Sequence, residues 1–330
     1  MIQYDRRRAL LSAAGLGVGG VAAVRLLPEE MLLRDRRPSR SRVAIISAVG
    51  YCEDLADSLK RVLRMFGLNV RGKSVLLKPN LVEFIAGVEV NTNPMLVGAA
   101  AEAFRSLGAR SVVVAEGPGH QRDTYLVLAE SGLEGQLRRQ KLAFVDLNRD
   151  ELIKVATRAN YSGLDHLWLP RTVLSSDFVV SMPKIKTHHW AGVTLSMKNM
   201  FGIVPGTRYG WPKNVLHWKG IHRSILDICA TAPIHFVIAD GVIAMEGNGP
   251  LHGTHRHLEK LVLADDAVAA DFVCARLMGL DPNRVWHLNR AAHFLGNGSN
   301  HRIDLIGEAL PSRTIPFNVL PGFTHLQTRL

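Results

Sequence analysis

Four lysines in this chain of 330 residues stand in settings that suggest chemistry: Lys78, Lys184, Lys186 and Lys198. They fall in Lys78-Pro79-Asn80, in Pro183-Lys184-Ile185-Lys186-Thr187-His188-His189 and in Met197-Lys198-Asn199-Met200-Phe201-Gly202, all rich in Pro, Asn or Gly. Ammonium groups brought near one another are costly unless an anion or carboxylates neutralise them, so a small phosphate- or carboxylate-bearing ligand is the natural partner. A buried lysine with a lowered pKa can also act as a general base or form a Schiff base. The plain alternative is four lysines on ordinary surface loops. Lys186 and His188 are the candidate catalytic groups. Lys78, Asn80, Lys184, Lys198, Asn199, Gly247 and Gly249 are the candidate anion- and substrate-binding residues, the amide of Asn199 and the ammonium of Lys198 being able to hold an oxyanion together.

Histidines supply a second signal, because eight of the 14 lie between His188 and His257. His188 with Asp240 could bind a divalent transition metal, and His188 could equally serve as general acid or base. His252, His255 and His257 form H-x-x-H-x-H in what reads as a glycine-rich, solvent-facing loop that matches no zinc signature. Cys52, Cys229 and Cys274 are far apart and provide no iron-sulfur ligand set.

To position these groups the chain must supply a scaffold, and its patterning describes one. Short β-branched runs at 43–49, 74–78, 111–115, 178–182 and 235–239 read as buried strands. Amphipathic stretches at 54–66, 94–107, 219–230 and 267–278 read as helices, the second opening with Asn93 as N-cap and Pro94 in the first turn. Residues 161–173 read as an antiparallel addition. The alternation predicts an α/β fold, layered, with a largely parallel sheet flanked by helices. The polar strings each follow a predicted strand: 78–80, 116–120, 183–189 and 240–250. In a parallel sheet such loops emerge on one side, where open α/β sheets bind ligands, so four loops point to one cleft.

Arg6, Arg7 and Arg8 precede a Gly/Ala-rich apolar run that ends at Val24, the pattern of a twin-arginine export signal over residues 1–27. The run is too short to span a bilayer comfortably. Gly15, Gly17 and Gly20 match G-x-G-x-x-G but lie inside this leader, with no strand before them, so the dinucleotide-binding reading is rejected. The expected organisation is the signal, a tether over 28–42, an α/β domain over 43–310 and a tail over 311–330. The expected location is periplasmic, or the outer face of the cytoplasmic membrane if the signal is retained as an anchor. The twin-arginine translocase is the partner during export. Net charge is +11, of which residues 1–42 supply +5. The remaining excess suits an anionic substrate and is poor support for nucleic-acid binding without a basic stripe interleaved with aromatics.

No G-x-S-x-G, H-E-x-x-H or G-x-x-x-x-G-K-[ST] string is present, which argues against an α/β-hydrolase, a zincin and a P-loop enzyme. The strings KPN at 78–80, PKIKTH at 183–188, MKNMFG at 197–202, DG at 240–241, GNGP at 247–250 and the Asp271 to Gly279 run resemble the family numbered 362 among the domains of unknown function. The resemblance spans roughly residues 43–310. Many members of that family carry a ferredoxin-like iron-sulfur module, which implies a redox setting; this chain lacks the cysteine clusters, so a redox role would need a separate exported partner or another cofactor. The leading expectation is an exported enzyme acting on a small anionic or carboxylate-bearing substrate. The alternative is a ligand- or metal-binding or maturation protein that serves an exported redox partner.

Overall fold

The computed structural model describes residues 35–119 and 123–328. The twin-arginine leader, residues 28–34 of the tether and His120 therefore lie outside the described residues. Twelve strands are described: β1 (Ser41–Ser47), β2 (Ser74–Pro79), β3 (Ser111–Glu116), β4 (Ala143–Asp146), β5 (Leu152–Ala156), β6 (His166–Pro170), β7 (Phe178–Met182), β8 (Lys184–His188), β9 (Gly192–Thr194), β10 (Phe236–Asn248), β11 (His252–Ala264) and β12 (Ile303–Gly307). Ten form one sheet, in which the order β12-β1-β11-β10-β7-β2-β3-β4 is extended by β8 on β10 and β9 on β8.

The block β10-β7-β2-β3-β4 is parallel throughout. The fold is therefore α/β with a mixed, mostly parallel sheet, and the parallel block is the part that matters for the site. β11 runs antiparallel between β1 and β10, and β12 is parallel to β1. Alternation along the strands builds a core on each face of the sheet. Val75 and Leu77 of β2 join Phe178, Val180 and Met182 of β7 on one side, packed by the helices Leu55–Met65 and Pro94–Ser106. Leu76 and Val179 face the other side, packed by the helices Ile221–Thr231 and Ala267–Leu277. Asn93 caps its helix as expected, its side chain accepting from the Met95 N–H ahead of Pro94.

Three local readings differ from the structure. Residues 184–188 form strand β8 rather than a loop. Pro183 separates it from β7, and its residues pair with the second half of β10 at Asp240↔Lys184 and Met245↔Lys186. The histidines 252, 255 and 257 are exposed on β11, the return strand of a long hairpin with β10, rather than in a glycine-rich loop. Polar residues along that strand hide its extended character. Residues 166–170 do pair antiparallel, but with β5 in a separate two-stranded sheet. The segment after 310 is seated on the body: Phe317 and Leu326 are buried and Asn318 bonds to Glu246.

One buried contact fixes the segment that carries Lys198 and Asn199. Asp271, inside the helix Ala267–Leu277, accepts the Ser196 N–H at 2.7 Å on one carboxylate oxygen and the Met197 N–H at 2.9 Å on the other. It thus caps the short helix Ser196–Asn199 from a neighbouring element. Burial pushes this carboxyl up to about 8, and the two N–H bonds pull the other way. Asp271→Ala leaves both buried donors unsatisfied and is expected to lower the unfolding free energy by about 2–4 kcal/mol, read from urea denaturation. A loss near zero would mean that this cap does not hold the segment.

Candidate functional site

Lys78 is at the end of β2 with no exposed surface, and a buried ammonium must have its three N–H groups accepted. Its Nζ donates to the Glu116 carboxylate, to the Pro79 carbonyl at 2.8 Å and to the Asn199 side-chain oxygen at 2.9 Å. Glu116, at the end of the neighbouring β3, also accepts the Leu81 and Gly117 N–H groups. The Asn199 amide is spent as well, donating to the Lys78 carbonyl and to Ser181 Oγ. The glycine of the MKNMFG string follows from this packing: a Cβ at Gly202 would overlap the Glu116 carboxylate and come within 2.6 Å of Lys78 Nζ.

Beside this pair lies a cavity of about 170 Å³. Asn80, Glu116 and Gly117 line it from the ends of β2 and β3, Lys186 and His188 from β8, and Lys198 and Phe201 from the capped segment, with Pro250 and Leu251 entering from the β10–β11 turn. All four polar strings thus reach one cleft, as the parallel block requires. The lining also includes Thr194, His217, Trp190 and Lys213. The aromatic groups are stepped along it: the ring of His217 is 4.9 Å from Trp190 and 5.1 Å from Phe201.

Each cationic group here is shaped by burial. Lys186 donates to the Val90 carbonyl at 2.8 Å and to the Pro250 carbonyl at 3.3 Å. Burial, then Lys184 and Lys198, push its amine well below the ordinary lysine range. In the neutral amine those two carbonyls take both N–H groups and leave a lone pair for the cavity. Lys198 is lowered to about 8 by burial and by Lys78; its Nζ lies 4.5 Å from the centre of the Phe201 ring and makes no hydrogen bond among the described residues. Lys213 is lowered to about 7, chiefly by burial, and donates to the carbonyls of Gly117, Phe201 and Gly202 at 2.8–3.1 Å.

The histidines are held neutral. His188 is pushed well below its ordinary value by burial and by Lys198. Its Nδ1 accepts the Trp190 and Ala191 N–H groups at 3.0 and 3.2 Å, so the neutral ring carries its proton on Nε2. That tautomer offers the cavity a donor. Metal-bound histidines normally donate through the other nitrogen, which here only accepts. His217, lowered to about 4 chiefly by burial, has its Nδ1 3.1 Å from the Lys213 carbonyl and His189 has its Nδ1 2.8 Å from the Gly249 carbonyl, the opposite tautomer. Two polar groups of the lining, the Thr194 hydroxyl and the Asn80 side-chain oxygen, are buried without a hydrogen-bond partner among the described residues.

The structure therefore sorts the residues singled out by the sequence. Asn80, Lys186, His188, Lys198 and Asn199 come together around the cavity. Lys78 stands behind it. Lys184 does not line it: its Nζ pairs with Asp240 at 3.1 Å and bonds to Tyr51 Oη at 3.0 Å. Asp240 is spent on Lys184, Tyr51 and the Asn93 N–H, and is not in the lining with His188, so the paired metal ligands are not brought together. No group of three or more His, Cys, Asp or Glu placed to hold a metal ion occurs among the described residues. Gly247 and Gly249 are not in the lining either, and a Cβ on Gly249 would overlap the Thr187 carbonyl. The sequence reading missed Lys213, Thr194, Trp190 and His217. Lys213 sits in Trp211-Pro212-Lys213-Asn214 with a left-handed backbone, φ 70°, and nothing in that string signals that its amine is buried.

Comparisons with known proteins agree with the motifs. A thylakoid-associated protein of Synechocystis sp. is 30% identical over 217 residues, which is 64% of this chain and 64% of that protein. The chain thus spans less than two thirds of that relative's length. The apoprotein of lactate racemase from Thermoanaerobacterium thermosaccharolyticum superposes with a TM-score of 0.44 at 13% identity, over 75% of this chain and 58% of that one. A Thermotoga maritima protein gives 0.37 at 12%, over 67% and 57%. The family described as Domain of unknown function (DUF362) matches residues 75–276, more than half of the chain and the stretch that contains the Lys78–Glu116 pair and the capped segment. The chain belongs to that family.

Proposed function

We propose that the cavity is the active site of an enzyme for a small carboxylate- or phosphate-bearing substrate, carried out by acid–base chemistry next to its anionic group. The observation that carries this is a charge imbalance. Besides the neutral Lys186, two lysine amines that can carry charge near neutral pH, those of Lys198 and Lys213, line the cavity with a single carboxylate, and that carboxylate is already bound to Lys78. An anion supplies the missing charge. A volume near 170 Å³ suits a ligand of about ten non-hydrogen atoms or fewer.

Roles follow from which atoms remain free. Lys198 and the Thr194 hydroxyl can touch the anionic group directly, while Lys213, with its donors spent on carbonyls, contributes field. The Lys186 lone pair can accept a proton from a carbon close to the anionic group, and the His188 Nε2–H can donate to the oxygen on which charge develops. A neutral imidazole used as a donor needs its pKa held down, as burial does here. A redox setting rests on the family resemblance alone, and a divalent metal would have to draw on ligands other than the separated His188–Asp240 pair.

The twin-arginine pattern of residues 1–27 supports an exported body, periplasmic or on the outer face of the cytoplasmic membrane. No helix of the described residues is long and apolar enough to cross a membrane. An exported redox partner remains part of this proposal. The alternative, a binding or maturation protein, predicts a filled cavity without turnover.

Binding of a carboxylate or of inorganic phosphate is expected to depend on pH in a defined sense. Below about pH 7 both Lys213 and Lys198 are protonated and affinity is flat. Above their values of about 7 and 8 each must take up a proton on binding, so affinity falls by up to about tenfold per pH unit per group. Calorimetry across pH 6–10 with a panel of small carboxylates and phosphate reads this; no binding, or binding indifferent to pH, contradicts it. Exchange of the carbon-bound hydrogens nearest the carboxylate of a bound acid in deuterium oxide, followed by NMR, is expected to drop about 10²–10⁴-fold in Lys186→Met and in His188→Ala. Binding without exchange in the wild type would favour the carrier role.

Export is tested separately. Replacing Arg6 and Arg7 by Lys in the full chain should leave the protein in the cytoplasmic fraction, and unchanged export would refute the twin-arginine reading.

A further inference from the structure

We infer that Lys198 is the amine on which a carbonyl-bearing carboxylate, a 2-oxo acid, condenses to form an imine. This rests on the anion-binding reading of the cavity and specifies its substrate class.

Five lysines are gathered behind and around this cavity or along β8, and four have their amines committed. Lys78 bonds to Glu116, Pro79 and Asn199, Lys184 to Tyr51 and Asp240, Lys186 to two carbonyls and Lys213 to three. Lys198 alone of the five has no acceptor, although it lines the cavity and lies over the Phe201 ring. Lys198 is half-buried rather than enclosed, so its amine is open to the cavity, where a ligand can meet it.

Its surroundings oppose the ammonium form. The cavity's carboxylate, Glu116, is occupied by Lys78 and by two backbone N–H groups, and Lys78 itself lies close enough to depress the Lys198 amine. Desolvation beside a second cation is the arrangement that makes a lysine nucleophilic near neutral pH. A simple anion seats on the ammonium form of Lys198, whereas a 2-oxo acid that offers its carbonyl to the neutral amine must place its carboxylate elsewhere in the cavity. The Thr194 hydroxyl, buried without a partner among the described residues, and the His188 Nε2–H can donate to that carboxylate, whereas the unpaired Asn80 oxygen is an acceptor.

The step balances without an oxidant or reductant. The Lys198 nitrogen bonds to the carbonyl carbon, giving a carbinolamine. The carbon–oxygen bond then breaks, the oxygen leaves as water with both amine hydrogens, and a C=N bond remains. Protonated on nitrogen, that imine withdraws electrons from the adjacent carbon, from which the Lys186 lone pair can take a proton.

The test uses the full chain with pyruvate, 2-oxobutyrate and 2-oxoglutarate as probes and sodium borohydride as trap. Intact-mass and peptide-mass analysis should show a single reduced adduct on Lys198, forming faster as pH rises toward about 8. Lys198→Arg, checked for wild-type thermal unfolding, keeps a cation but should lose the adduct. If calorimetry shows an oxo acid bound and no adduct is trapped, the imine is refuted and anion binding stands. Adducts scattered over surface lysines, or undiminished in Lys198→Arg, also refute it. If the probes neither bind nor react, and small carboxylates and phosphate also fail to bind, both readings fail together.

Discussion

The buried Lys78–Glu116 pair is the constraint on which the site depends. An ammonium and a carboxylate without solvent exposure cost several kcal/mol each in desolvation, and only close geometry with every N–H accepted offsets it. That requirement reaches well beyond the two residues. It sets β2 and β3 side by side at their carboxyl ends, commits both halves of the Asn199 amide, and leaves no room for a side chain at Gly202. Asp271 completes the frame by capping the segment that bears Asn199 and Lys198. The frame also uses up the cavity's one carboxylate, so the remaining lysines of the lining have no carboxylate partner among the described residues.

The five lysines consequently divide by what surrounds them. Lys78 and Lys184 each have a carboxylate and are structural. Lys186 and Lys213 are held by backbone carbonyls, which accept hydrogen bonds without neutralising charge, so burial lowers both amines. Lys198 has only an aromatic face. A neutral His188, with its proton fixed on Nε2 by two backbone donors, adds a directional group to this field. Such clusters of depressed amines are where acid–base and nucleophilic chemistry is found.

Much of this was legible in the sequence, for stated reasons. The runs SVLLK, SVVVA and FVVSM are β-branched and buried on both faces, so they read as central strands, and the polar strings after them reach a common cleft because those strands are parallel. The segment 184–188 read as a loop because Lys-x-Lys-x-His looks solvated; its burial depends on Asp240, Val90 and Pro250, partners remote in sequence. The same is true of Lys213, whose three carbonyls come from two other turns. Gly247 and Gly249 suggested a ligand-cradling loop, whereas Gly249 admits the close approach of Thr187. Strand β11 was hidden by its exposed histidines. Spacing reveals which elements meet; it does not reveal which of two lysines finds a carboxylate.

The most direct measurement is the ionisation of these amines in the folded chain, by NMR of protein labelled with carbon-13 at the lysine side chains. Two resonances titrating near 7 and 8, assigned through Lys213→Met and Lys198→Met and moving upward when a small anion is added, are predicted. Lysines that all titrate near their ordinary value of about 10.4, with no response to anions, would contradict the account.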